Sequence, residues 1–164
     1  QALGAGRDVI WVELAPLLSA VSRRCSGRPP GLKYTEDRDP DDKGSAFVLA
    51  DAERLGAVIE HVIRNAQEAA GAGGSVLLRV GAGSKFAVLT IQDDGPGMDA
   101  AFVRDRLFRP FDSTKGSKGM GVGAYQVREY VRQIGGAVEV QSIPGHGTAF
   151  LITLPLCQTT SPPS

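Results

Sequence analysis

The stretch from Asp93 to Tyr125, DDGPGMDAAFVRDRLFRPFDSTKGSKGMGVGAY, constrains the fold of this 164-residue chain more than any other part. Its glycines form two groups, one directly after an apolar segment and one directly before an amphipathic segment. Glycine inside a helix or strand costs roughly 0.5–1 kcal/mol relative to alanine, so regular packed elements disfavour this density. The stretch therefore predicts a segment whose backbone conformation serves to bind a ligand.

Apolar residues between positions 51 and 70 recur at helical spacing and predict a long amphipathic helix with Asp51 as its N-cap. The predicted buried face of this helix consists of Leu55, Val58, Ile59, Val62, Ile63, Ala66 and Ala70. Two further amphipathic helices are predicted, one from Leu14 to Cys25 and one marked by the apolar residues of 124–134.

Segments of strand character lie between these helices. Strands are predicted at 9–12, 32–36, 47–49, 75–80 and 85–92, followed by a closing pair at 137–142 and 148–155. Because the late strands are joined by short turns, the pattern favours an α+β sandwich, with a mixed sheet and helices on one face. We expect a single domain over 1–155 and a disordered tail over 156–164.

The composition excludes several classes of protein. The formal net charge is zero and the pI is near 6.9, which gives no basic footprint for nucleic acid. No apolar run approaches the roughly 20 residues that span a bilayer. Cys25 and Cys157 have no metal-ligand spacing and are expected to be reduced thiols in the cytoplasm.

One polar stripe runs along the predicted 51–70 helix beside its apolar face. It contains Arg54, His61, Asn65 and Glu68. An isolated mid-helix asparagine is usually a surface residue. In this stripe, however, Asn65 could offer an oxygen to a hydrated cation, because Mg²⁺ keeps several waters and takes few protein ligands.

The segment IQDDGPGM places carboxylates at the end of a predicted strand, followed by Gly95 and Gly97. An ordinary turn would explain the pattern, since Asp and Gly dominate turns. Alternatively, a carboxylate fixed there could accept a hydrogen bond from an exocyclic amine, with the glycines letting the backbone approach a flat ring.

The segment KGSKGMGVGAYQ brings Gly119, Gly121 and Gly123 directly before a helix. A flexible loop is one interpretation, and phosphate binding by exposed N–H groups at the helix start is the other. Neither the P-loop pattern nor the dinucleotide-fold spacing occurs. Phe108 and Phe111 would be core residues or the anchors of a lid.

The four signals occur in a fixed order, and in that order the sequence resembles the ATP-binding catalytic domain of bacterial sensor histidine kinases. That domain belongs to the gyrase/Hsp90/histidine kinase/MutL superfamily. HVIRNAQEA is similar to its N box, DDGPGM to its G1 box, LFRPF to its F box and GMGVGAY to its G2 box. The run PFDSTKGSKGMGVGAYQVREYVRQIGG resembles the kinase group of PEP-CTERM exopolysaccharide systems.

The resemblance implies a Bergerat-type two-layer sandwich with a flexible lid that holds ATP and Mg²⁺. Asp93 would read the adenine, Asn65 would coordinate Mg²⁺, Lys115 would reach a terminal phosphate, and Phe108 would anchor the lid. The remaining residues expected at the site are Gly95, Gly97, Gly119, Gly121, Gly123 and Thr148.

The sequence departs from the family pattern at two positions. His61 stands where many sensor kinases have asparagine and the superfamily's ATPases have a general-base glutamate. It is expected to be either catalytic, by polarising a nucleophile or orienting Glu60, or structural. Glu68 replaces a common lysine, which shifts charge compensation towards Lys115 and Lys118.

The resemblance further implies phosphoryl transfer from Mg²⁺-ATP to a histidine, relayed to a response regulator. His61 and His146 are the only histidines, and neither has the context of a phosphoacceptor. The acceptor is therefore expected on a dimerising helical hairpin of the parent protein, outside this chain. The chain alone is expected to be monomeric, without membrane contact. An anti-sigma-like serine kinase and an ATPase of the superfamily are the alternatives.

Overall fold

Three helices pack on one face of a five-stranded mixed sheet, and a short two-stranded sheet lies beside them. The computed structural model describes residues 9–37, 46–109 and 120–157. The strands are β1 Ile10–Glu13, β2 Leu32–Asp37, β3 Phe47–Ala50, β4 Val76–Ala82, β5 Phe86–Asp93, β6 Ala137–Ile143 and β7 Gly147–Pro155. The helices are α1 Leu14–Cys25, α2 Ala52–Ala70, α3 Ala100–Asp105 and α4 Met120–Gln133.

The large sheet has the strand order β2-β4-β5-β7-β6, in which β2 runs parallel to β4 and the other neighbours are antiparallel. Strands β1 and β3 form the separate antiparallel pair. Alternate residues of β5 are buried, which turns one face of the sheet towards the helices. This arrangement confirms the predicted α+β sandwich.

The central helix α2 forms where its sequence pattern predicts. The Asp51 side chain accepts hydrogen bonds from the N–H groups of Glu53 and Arg54, so the expected N-cap is confirmed. The helix ends at Ala70 and is capped by Gly71, whose positive φ of 75° suits glycine. The fully buried side chains Leu55, Ile59 and Ile63 fasten α2 to the core.

Tyr130 on α4 fixes this helix against the start of α2. Its hydroxyl accepts a hydrogen bond from the Asp51 N–H at 3.1 Å, and the Arg54 guanidinium lies 4.5 Å from the centre of its ring. Burial raises the pKa of Tyr130, so its hydroxyl stays protonated. The N-terminus of α2 and the body of α4 are therefore held together.

Gln67 anchors the connection between α1 and β2 beneath α2. Its amide is buried, and Nε2 donates to the carbonyls of Cys25, Arg28 and Pro30 at 2.9, 3.3 and 3.0 Å. A single polar side chain thus satisfies backbone groups of an irregular segment.

The short helix α3 was not predicted from the sequence. Asp99 caps it by accepting a hydrogen bond from the N–H of Phe102 at 2.8 Å, while none of its six residues is buried. A helix without a buried face leaves no apolar period to detect. Residues 110–119 of the predicted lid and the tail from 158 lie outside the described residues.

Candidate functional site

Asp93 is the last residue of β5 and is buried, with 6% of its surface exposed. Its Oδ1 accepts a hydrogen bond from the N–H of Gly95 at 2.8 Å. Burial raises the pKa of Asp93, and hydrogen bonds from the backbones of Gly95 and Thr148 partly oppose this effect. A carboxylate offers about four acceptor positions, so capacity remains for a donor from a ligand.

The neighbouring carboxylate Asp94 has a different role. Its oxygens accept hydrogen bonds from the N–H and the hydroxyl of Ser75, at 2.9 and 3.1 Å. These bonds lower the pKa of Asp94 and tie the end of β5 to the start of β4. Of the two adjacent aspartates, only Asp93 is directed into the interior.

Gly95 and Gly97 close the turn after β5 against the protein's own backbone. A Cβ on Gly95 would lie 2.5 Å from the carbonyl oxygen of Ala69, in the last turn of α2. A Cβ on Gly97, whose φ is +73°, would lie 2.3 Å from the carbonyl oxygen of Ile143. Both residues must therefore be glycine even before any ligand is considered.

A row of three polar side chains crosses the sheet at this end. Asp93 stands opposite Thr148 on β7, and Thr148 stands opposite Ser142 on β6. The Ser142 hydroxyl lies 2.8 Å from the Thr148 hydroxyl and accepts a hydrogen bond from the N–H of Met98 at 2.7 Å. We call these residues, with Gly95 and Gly97, the strand end of the site.

His61 and Gly123 form a close contact between α2 and the first turns of α4. A Cβ on Gly123 would lie only 1.7 Å from Nε2 of His61, so the imidazole occupies the space that this glycine leaves. Nε2 is buried and has no hydrogen-bond partner among the described residues. We call His61, Asn65, Phe108 and the start of α4 the helix end of the site.

His61 is held as a neutral imidazole. Burial lowers its pKa and the nearby Arg64 cation lowers it further, although Glu68 raises it. Glu60, which His61 was expected to orient, is instead paired with Arg24 at 3.0 Å and with Arg64. The structure thus places His61 against α4, and its expected catalytic role stays a prediction.

Asn65 lies one helical turn after His61 on α2 and is half-buried. Residues four apart share a helix face, so the two side chains lie on the same side of α2. Among the residues that the structure describes, no group of three or more His, Cys, Asp or Glu side chains could hold a metal ion. The expected coordination of Mg²⁺ by Asn65 stays a prediction.

Phe108 packs beneath a cation from α4. The guanidinium of Arg128 lies 4.4 Å from the centre of the Phe108 ring, in the range of a cation–π interaction. Phe108 precedes the undescribed segment 110–119 and Arg128 follows it. This contact therefore joins the two segments that flank the expected lid. The sequence motifs did not identify Arg128 as part of it.

The glycines before α4 are placed differently from the sequence prediction. The helix begins at Met120, so Gly121 and Gly123 lie within its first turns rather than ahead of it. The first four N–H groups of a helix have no partner in the helix, and they remain suited to an anion. Lys115, Gly119, Lys118 and Phe111 lie outside the described residues.

The sequence of this sandwich matches a known family. Residues 50–158 match the family described as histidine kinase-, DNA gyrase B- and HSP90-like ATPase. The chain belongs to this family, as its four ordered motifs indicated.

Relatives and solved structures agree with this assignment. The chain is 34% identical over 139 residues to the C4-dicarboxylate transport sensor protein DctB of Rhizobium meliloti, covering 84% of this chain and 21% of DctB. It is 31% identical over 147 residues to the sensor histidine kinase ZraS of Escherichia coli, covering 89% of this chain and 30% of ZraS.

Among solved structures, the mycobacterial sensor histidine kinase MprB superposes with a TM-score of 0.69 at 28% identity, covering 89% of this chain and 96% of that one. Full-length ShkA in complex with AMPPNP superposes with a TM-score of 0.73 at 26% identity, covering 93% of this chain and 32% of ShkA. The chain thus spans less than a third of DctB, ZraS and ShkA.

In the part of the chain that the structure describes, no helix combines the length and the apolar character that a membrane span requires.

Proposed function

We propose that this chain binds Mg²⁺-ATP and transfers its γ-phosphoryl group to a histidine of a separate phosphoacceptor domain in two-component signalling. The observation that carries the proposal is the buried Asp93, held by Gly95 yet retaining acceptor capacity at the carboxyl end of β5. A buried carboxylate needs a donor partner to offset its desolvation. The exocyclic amine of adenine supplies such a donor.

The strand end would bind the base. Asp93 would accept from the amine, and Thr148 lies beside it in the same cross-strand row. Gly95 and Gly97 would fix the turn that borders the base, since their backbones touch α2 and the β6–β7 hairpin.

The helix end would bind the triphosphate. The free N–H groups at the start of α4 would face phosphate oxygens, together with Gly119, Gly121 and Gly123. The amide oxygen of Asn65 would be the protein's ligand to Mg²⁺, and a bound Mg²⁺ would neutralise phosphate charge. Lys115 would add a positive charge at the terminal phosphate, and Phe108 would anchor the lid.

The phosphoacceptor would come from another part of the parent protein. The Nε2 atom of the half-buried His61 on α2 is covered, and His146 lies in the β6–β7 turn. The chain corresponds to only part of the length of its sensor-kinase relatives, which leaves room for a helical-hairpin acceptor domain. A receiver domain of a response regulator would take the phosphoryl group next. The relatives do not favour the alternatives of an anti-sigma-like kinase or a stand-alone ATPase.

The parent kinase tests the proposal directly. We expect radiolabelled ATP with Mg²⁺ to give an acid-labile, base-stable phosphohistidine outside this domain. Asn65→Ala should reduce its formation by at least about tenfold, because phosphoryl transfer depends on the positioned cation. The same variant should retain most of its affinity for adenosine. Full phosphorylation by Asn65→Ala would contradict the metal assignment, and an absence of phosphohistidine in the wild type would contradict the function.

The role of His61 is tested in the same assay. If its imidazole acts in catalysis, His61→Asn should slow transfer without weakening nucleotide binding, because only interactions made in the transition state change the chemical rate. If His61 is only structural, His61→Asn should remain fully active, because asparagine is the residue that many sensor kinases have at this position.

A further inference from the structure

We infer that Ser142 sets the hydrogen-bonding polarity of Thr148, and that Ser142 thereby makes the site select a 6-aminopurine over a 6-oxopurine. The inference rests on the proposed nucleotide function and adds to it a specificity-determining residue on β6. The sequence motifs did not identify Ser142 as part of the site.

The hydrogen bonds around Ser142 determine where its one proton points. A serine hydroxyl has one donor hydrogen and two acceptor lone pairs. One lone pair accepts from the N–H of Met98 at 2.7 Å. The carbonyl oxygen of Gly147, 3.2 Å away, can only accept, so the Ser142 proton is directed there.

The direction of the remaining bond follows from this count. The hydroxyls of Ser142 and Thr148 are 2.8 Å apart, and either could in principle donate. Assigning the Ser142 proton to the carbonyl of Gly147, which can only accept, makes Thr148 the donor to the second lone pair of Ser142. The Thr148 oxygen is then left with lone pairs only.

The strand end consequently presents two adjacent acceptors. Asp93 and Thr148 stand directly opposite each other on β5 and β7, and only 6% and 8% of their surfaces are exposed. An amino group at position 6 of a purine can donate to this pair. A 6-oxopurine would place a third acceptor against these two, and its single N1–H donor cannot replace both hydrogens of the amino group, which is costly at a buried site.

Loss of Ser142 should relax this discrimination. In Ser142→Ala, the Thr148 hydroxyl loses its acceptor and is free to turn its proton towards the ligand. It could then donate to a 6-carbonyl, while Asp93 keeps its preference for the amine. The expected change is a smaller ratio of affinities, since a hydrogen bond contributes modestly to binding.

The test is titration calorimetry of the 164-residue chain with Mg²⁺-ADP and with Mg²⁺-IDP, which carries hypoxanthine in place of adenine. The wild type should prefer ADP. Ser142→Ala should lower the ADP-to-IDP affinity ratio by about fivefold, as expected for one neutral hydrogen bond. Ser142→Thr, which restores a hydroxyl, should recover the ratio. Ser84→Ala, an exposed serine in the β4–β5 turn, should leave the ratio unchanged.

Thr148→Val tests the ADP-to-IDP affinity ratio in a second way, because it removes the acceptor itself and leaves Ser142 in place. It should lower the ratio to a similar extent, even if Ser142→Ala folds poorly. Equal losses of ADP and IDP affinity in both variants would show a purely structural role and overturn the inference. Binding of ADP with an unchanged ratio would overturn the inference alone, whereas a wild type that binds neither nucleotide would overturn the proposed function as well.

Discussion

The strand end and the helix end of the site are built by different means. At the strand end, Asp93, Thr148 and Ser142 are aligned by the ladder of β5, β7 and β6, and hydrogen bonds join them to the turn that follows β5. At the helix end, side-chain contacts hold α4: His61 lies against Gly123, Arg128 stacks over Phe108, and Tyr130 bonds to the start of α2.

This difference has a consequence for how the two ends respond to substitution. The side chains of the strand end lie on neighbouring strands that backbone hydrogen bonds join. Their relative positions should therefore change only when the sheet itself is distorted. A helix that is held through side chains can shift as a body. The proposed base recognition is therefore expected to be rigid, and the proposed phosphate recognition adjustable.

The largest expected effect comes from the β6–β7 turn, which supports the strand end. A Cβ on Gly147, whose φ is +117°, would lie 2.0 Å from the carbonyl oxygen of Asp93. We expect Gly147→Ala to lower the free energy of unfolding by roughly 2–5 kcal/mol, through backbone strain and steric overlap together. Urea unfolding measures this change.

Gly145→Ala is the matched control in the same turn. Gly145 also has a positive φ, +83°, but nothing lies within 4 Å of its Cβ position. The Gly145→Ala variant should therefore lose only about 1–2 kcal/mol of its free energy of unfolding, from the strain of the left-handed backbone alone. Equal losses in the two variants would show that the contact with Asp93 does not support the strand end.

At the helix end, Gly123→Ala should displace α4, because its methyl group would overlap the imidazole of His61. We expect AMPPNP affinity to fall by about tenfold or more, which corresponds to at least ~1.4 kcal/mol. The double variant His61→Ala/Gly123→Ala removes the overlap and should regain most of that affinity. Calorimetry on both variants and on His61→Ala completes a double-mutant cycle. Additive losses would mean that His61 does not position α4.

Only part of this arrangement could be predicted from the sequence. The helical period of α2, the capping by Asp51 and the placement of Asp93 at a strand end all follow from patterns within a few residues, and the structure confirms them. Local patterns of this kind reflect helix and strand geometry directly.

The contacts that hold the site together could not be predicted, because they join distant parts of the chain. Nothing in the sequence pairs His61 with Gly123, and the strand register that brings Ser142 beside Thr148 depends on how β6 returns along β7. For Gly97, the structure shows a further requirement, because a Cβ there would meet the backbone of Ile143. The expected approach of this glycine to a flat ring stays a prediction.

A smaller effect is expected from pH. Because burial lowers the pKa of His61 below its usual 6.5, the unfolded chain binds a proton more readily than the folded one. Stability that is present above about pH 6.5 should therefore be lost progressively as the pH falls towards the lower folded pKa. Thermal unfolding between pH 7.5 and 5 measures this loss.

His61→Asn should reduce the pH dependence of unfolding in that range, because asparagine does not titrate. His146→Asn, in the exposed β6–β7 turn, is the control and should behave as the wild type. A wild-type slope that persists in His61→Asn would mean that the lowered pKa of His61 does not contribute to the pH dependence of stability.

The central claim is that Asp93 reads the base while α4 holds the phosphates, and calorimetry of Asp93→Asn with adenosine and with AMPPNP tests it most directly. Loss of a buried hydrogen bond to a charged group costs roughly 1.5–3 kcal/mol, so both ligands should bind at least about tenfold more weakly. Gly123→Ala should instead weaken AMPPNP and leave adenosine nearly unchanged. Asp93→Asn that binds both ligands with wild-type affinity would contradict the account.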